Sequence, residues 1–142
     1  MKIRQEFITF ISAVLLLMLW AYAAVSKIAA YDQFVEQMKL APVPFIHLLG
    51  PFLAWFVPLI ELILVWLLFK DKLRQLGLWL SFFLLLAYEF YIVTMLLSGL
   101  ELPCTCGGLI AKMQWKEHLV FNAIYMVIAL LPMIYRWITH KF

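Results

Sequence analysis

Long apolar runs broken by short polar stretches organise this chain. The first run, about residues 7–26, is apolar apart from Thr9 and Ser12, and about 20 such residues are what a helix needs to cross a bilayer's hydrocarbon. Comparable runs at about 45–69, 75–97 and 117–138 complete a set of four predicted spans. Between the first two, Tyr31, Phe34, Val35 and Met38 recur at i, i+3, i+4 and i+7, with Asp32, Gln33, Glu36, Gln37 and Lys39 on the other side. That spacing predicts a short amphipathic helix lying in the membrane interface. Ala41-Pro42-Val43-Pro44 ends it, because proline disfavours helix in the residue before it. The second run carries Pro51 and Pro58, which are tolerated in a span when neighbouring groups satisfy the freed backbone. Lys70-Asp71-Lys72-Leu73-Arg74 is a tight polar turn, so spans two and three are expected to be antiparallel neighbours.

Composition agrees with the pattern. The chain of 142 residues is 67% hydrophobic and 13% charged, against about 25% charged in soluble domains, and its mean hydropathy is +1.00. The expected fold is an all-α membrane protein, one domain over residues 1–142, built as an antiparallel four-helix bundle with a short interfacial helix after the first span. Lys2 and Arg4 before an apolar run, with Ala21-Tyr22-Ala23 after it, resemble a secretory signal; the segment is read as a retained first span. The net charge of +3 is scattered around helix ends and makes no nucleic-acid patch. The bilayer is the expected partner.

Basic residues also orient the chain. One side collects Lys2, Arg4, Lys70, Lys72, Arg74, Arg136 and Lys141; the other holds Lys27, Lys39, Lys112 and Lys116. The richer side is expected in the cytoplasm. That puts both termini inside a bacterial inner membrane and residues 98–116 in the periplasm or exterior, where thiols are oxidised.

The only two cysteines, Cys104 and Cys106, lie in that segment between Pro103 and Gly107-Gly108. The glycines permit the positive φ values of a sharp turn, so a strained, exchangeable disulfide is one reading. A passive staple is a second, although a bridge between residues two apart closes too little chain to stabilise much. Metal binding with His118 is a third, but a fourth ligand is not evident, and no metal site is assigned.

Other polar residues interrupt the apolar runs. His118, Asn122 and Tyr125 fall at i, i+4 and i+7, one stripe of the fourth span. The stripe suits either interhelical hydrogen bonding or the polar wall of a pocket under the cysteine segment, with His118 handling a proton. Trp115 suits an interfacial anchor. Glu61 and Glu89 lie inside spans, where an acid is costly. At ~1.5 Å per residue, Glu89 falls ~13 Å below the outer end of span three and Glu61 ~12 Å above the cytoplasmic turn, so a direct carboxylate pair is not expected. Lys27 is expected either to snorkel to the interface or to reach inward to Glu89.

Taken together, Ser26-Lys27, Pro58 with Glu61, Cys104-Thr105-Cys106 followed by glycine, and Asn122 resemble, in order and spacing, the MauE/DoxX-like redox-associated membrane proteins, over nearly the whole chain. Gly107 departs from the pattern, standing where many members carry Phe. The family is similar in architecture to four-helix membrane thiol oxidoreductases. The resemblance implies a thiol-redox protein in which Cys104, Cys106 and His118 are catalytic. Its partner would be an exported thioredoxin-like or other thiol protein, and its acceptor a quinone near Asn122, Trp115 and Tyr125. Two rival readings remain: a non-enzymatic accessory subunit of a larger membrane complex, and a metal-handling protein.

Overall fold

Nothing between Lys2 and Ala29 breaks a helix, and in the computed structural model those residues form one helix, α1 (Lys2–Ala29). The structure describes residues 2–39, 44–98 and 115–141. After α1 come α2 (Tyr31–Lys39), α3 (Pro44–Leu48), α4 (Gly50–Phe69), α5 (Arg74–Leu97) and α6 (Trp115–Lys141). Four of these, α1, α4, α5 and α6, are long and apolar enough to span a membrane. The chain is a multi-pass, all-α membrane bundle.

Most boundaries differ from the hydropathy pattern by a few residues, because a helix continues through polar residues that lie outside the hydrocarbon. The second span differs in kind. It starts at Gly50, and residues 44–48 form the separate helix α3. Pro51 accounts for this, since it sits in the first turn of α4, where its missing N–H costs no intrahelical bond. Pro58 remains inside α4, on its buried face.

The four long helices pack in the cyclic order α1, α4, α5, α6, with α1 also touching α5. A four-residue turn joins the adjacent α4 and α5, which makes them antiparallel. In that turn Arg74 holds Asp71 at 2.5 Å, and its guanidinium lies 5.6 Å from the centre of the Phe10 ring on α1, so the turn and the first part of α1 share one end of the bundle. Gly77 lets α5 come close to α4: a Cβ there would stand 3.0 Å from Leu68 Cδ2 and 3.2 Å from the Leu68 backbone nitrogen.

Leu16, Trp20, Leu64, Leu68, Leu78 and Leu85 form the main core. The opposite faces stay apolar and exposed, as with Met18, Phe52, Trp55, Trp66, Phe83 and Phe90. A soluble monomer rarely exposes so much apolar surface, and lipid is its natural solvent. The apolar stripe of α2 is half met by protein, since Phe34 and Met38 are buried against Ala54 of α4. The short helix thus closes one end of the bundle.

Candidate functional site

Polar groups in a bundle core must find partners, because hydrocarbon offers none. Buried positions on α1 recur as Leu16, Trp20, Ala23, Ala24 and Lys27. On α4 they include Ala54, Pro58, Glu61 and Leu64, and on α5 Ser81, Leu85 and Ile92. Helical periodicity therefore aims Lys27 and Glu61 at the same interior. Lys27 is 2% exposed and Glu61 0%. Lys27 Nζ donates to Glu61 Oε1 at 2.7 Å, and Tyr88 OH donates to the same oxygen at 2.5 Å. The ammonium also lies 5.5 Å from the centre of the Tyr88 ring and 5.9 Å from that of Phe34, within the range of cation–π attraction. Trp20 braces the group: its ring meets Tyr88 edge-on at 5.9 Å, and its Nε1 donates to Ser81 Oγ at 2.9 Å.

Burying two charges costs several kcal/mol per ion before their attraction is counted. A short pair with a phenol donor and two aromatic faces offsets much of that cost. Of the two expectations for Lys27, the inward one holds, but its partner is Glu61 rather than Glu89. The depth argument set the two carboxylates at different levels. It missed that the lysine stem lets a residue near the end of α1 reach a carboxylate in the middle of α4.

A second polar group lies between α5 and α6. His118 and Asn122 are buried, so this part of the α6 stripe faces the interior. The Glu89 carboxyl lies beside the Asn122 amide and near the His118 ring. No hydrogen bond of normal length and angle forms from the amide nitrogen, however: Asn122 Nδ2 and Glu89 Oε2 are both buried without a partner. Glu89 Oε2 thus turns towards protein, and Asn122 and His118 are among its polar neighbours. Tyr125 is half-buried and packs its ring 4.9 Å from that of Phe121.

Two spaces adjoin these groups. The larger, about 210 Å³, lies among Phe34, Met38, Leu53, Val57, Tyr91 and Ile92, with Lys27 and Tyr88 at its edge. The smaller, about 20 Å³, is lined by residues including Ala23, Lys27, Tyr88, His118 and Asn122. A dry cavity of about 150 Å³ holds benzene, so the larger one admits a single ring or a short stretch of chain. Its wall exposes no polar atom, which suits hydrocarbon. The space beside His118 and Asn122 has room for about one water. Among the described residues, no group of three or more His, Cys, Asp or Glu is placed to hold a metal.

Cys104 and Cys106 lie outside the described residues, as does the side chain of Trp115. The chain path still relates the cysteines to the polar groups. They belong to the segment joining Leu97 of α5 to Trp115 of α6. His118 stands one turn inside α6, and Glu89 about two turns inside α5.

The family model described as methylamine utilisation protein MauE matches residues 5–135. The chain belongs to the MauE family. No curated protein and no solved structure matches it. The MauE match spans every residue of both polar groups, so the pairing of Lys27 with Glu61 and Tyr88 is built from positions within the family's own extent. Sequence reasoning found Lys27, Glu61, Glu89, His118 and Asn122 by their chemistry, but missed Tyr88, Trp20 and Ser81. The available signal was the spacing of Ser81, Leu85, Tyr88 and Ile92 along α5, a stripe that continues one interior face.

Proposed function

We propose that this MauE-family protein is an integral membrane thiol-redox protein that exchanges electrons between an exported thiol partner and a membrane acceptor through Cys104 and Cys106. One observation carries the reading. The buried His118, one turn inside α6, and the part-buried Glu89, about two turns inside α5, lie towards the end of the bundle where the cysteine-bearing segment leaves α5 and enters α6. Thiol exchange needs a thiolate as attacking group and a proton for the leaving sulfur, and His118 is the ionisable side chain of α6 nearest that segment by chain position.

In the oxidising direction, one thiolate of the partner attacks a sulfur of the Cys104–Cys106 disulfide and forms a mixed disulfide. The partner's second thiolate then attacks its own bridged sulfur. The partner leaves oxidised and the cysteine pair leaves as two thiols, having gained two electrons and two protons. The membrane acceptor takes these when the pair closes again. The resemblance implies a quinone for that acceptor, and the proposed chemistry is confined to the thiol half.

Basic residues support the orientation this function needs. Lys27, counted on the outer side by sequence, is an interior residue paired with Glu61, which widens the excess on the side of Lys70, Lys72 and Arg74 and favours that side as cytoplasmic.

The test is single replacement of Cys104 or Cys106 by serine in cells, with non-reducing gels of the affinity-purified protein. The expected result is a reducible adduct with an exported thiol protein in one single variant, absent from the double variant. No adduct in either single variant, together with no reduced exported partner in the double variant, would reject thiol exchange and favour an accessory subunit of a larger membrane complex.

A further inference from the structure

Two polar groups come together in the upper half of the bundle without closing on each other. Lys27 and Tyr88 both donate short bonds to Glu61 Oε1, while Glu61 Oε2 is buried without a hydrogen-bond partner. Asn122, only 3% exposed, has the Glu89 carboxyl beside it, yet its amide nitrogen makes no hydrogen bond of normal length and angle. A buried amide left this way costs about 1–3 kcal/mol, and native cores seldom tolerate it. Between the groups lies the space of about 20 Å³, lined by Lys27 and Tyr88 on one side and by His118 and Asn122 on the other.

We infer that this space is an internal water site, and that the water bound there joins the Lys27–Glu61–Tyr88 group to His118 and Asn122 in one hydrogen-bonded chain. The size fits, since a buried water needs at least about 10–15 Å³ measured this way. The partners fit too. Asn122 Nδ2 is a donor in want of an acceptor, and a water oxygen supplies one. Lys27, Tyr88 and His118 also line the space and carry further polar groups, and such waters use two to four partners. A larger ligand is excluded by volume. The inference is independent of whether the cysteines exchange electrons. Its consequence for the fold is a continuous polar path from the middle of α4 to the first turns of α6.

The full-length protein in lipid bilayers tests this by solid-state NMR. With asparagine side chains labelled with nitrogen-15, magnetisation transfer from water to the Asn122 amide reports a long-lived neighbour water. The Asn122→Leu variant assigns that signal. Ala23→Val then places two extra methyl groups on the wall of the space while leaving Asn122 intact. The expected result is a water cross-peak at the Asn122 amide in the wild type and its loss in Ala23→Val. If Ala23→Val does not fold, Ala23→Ser, whose hydroxyl occupies about the volume of the water, must abolish the same cross-peak. Absence of the peak in the wild type overturns the inference, and so does its persistence in the folded Ala23 variant.

Discussion

Replacing Lys27 by methionine should destabilise the bundle more than any other single change of similar size. Methionine keeps most of the stem's volume and removes only the ammonium, which leaves Glu61, 0% exposed, without the cation now 2.7 Å away. Breaking one side of a buried ion pair costs about 3–5 kcal/mol. At about 1.4 kcal/mol per factor of ten, that is roughly a hundredfold to three-thousandfold in the unfolding equilibrium. The companion variants are Glu61→Gln and the double variant Lys27→Met/Glu61→Gln. In the double variant no charge is stranded and Tyr88 can still bond the amide oxygen, so its cost should fall well below the sum of the two singles. Reversible unfolding in mixed micelles, followed by steric trapping, measures all four species. Distant, independent sites add to within about 0.5 kcal/mol. Additivity at that level, or a cost below about 1 kcal/mol for Lys27→Met, would refute a pair held together in the core.

Tyr88→Phe removes one donor to the same carboxylate oxygen and should cost about 1.5–3 kcal/mol, as for hydrogen bonds to charged groups, in the same unfolding assay. Gly77→Ala should cost about 1–3 kcal/mol by overpacking α5 against Leu68, with Gly77→Leu worse, read as a lower thermal midpoint in detergent. For orientation, single cysteines at positions 39 and 72 in a background lacking Cys104 and Cys106 should differ towards an impermeant thiol reagent on intact cells. Position 39 should label and position 72 should not, and the reverse pattern would invert the assignment.

The four spans were legible because crossing a bilayer requires length and apolarity together, and few other demands produce four such runs in 142 residues. The split of residues 45–69 into α3 and α4 was less legible, although its cause, Pro51, was in plain view. A proline reads the same way whether it kinks a span or opens one, and only the backbone turn at Leu49 decides. The inward aim of Lys27, Glu61, His118 and Asn122 could be argued from the cost of polar groups in hydrocarbon. Their pairing could not be, because it depends on how far each helix is shifted along its neighbour. Contacts such as Gly77 against Leu68 set that shift, and a count of residues per span carries no trace of it.

The ion pair also bears on the order in which the chain is made. Lys27 and Glu61 are 34 residues apart and belong to the first and second spans, which pack directly on each other. A lysine or an acidic residue at the centre of a lone helix raises the cost of insertion by about 2.5–3.5 kcal/mol. As the nascent chain leaves the ribosome, Lys27, near the end of the first span, can keep its ammonium in the interface, and the penalty falls on Glu61 in the middle of the second. The first helical hairpin can therefore neutralise itself before α5 and α6 have been translated, and Tyr88 arrives later to complete a bond already half made. A chain in which Glu61 were moved to the fourth span would hold the same charges in its finished bundle, yet could not close the pair until the last span had been made.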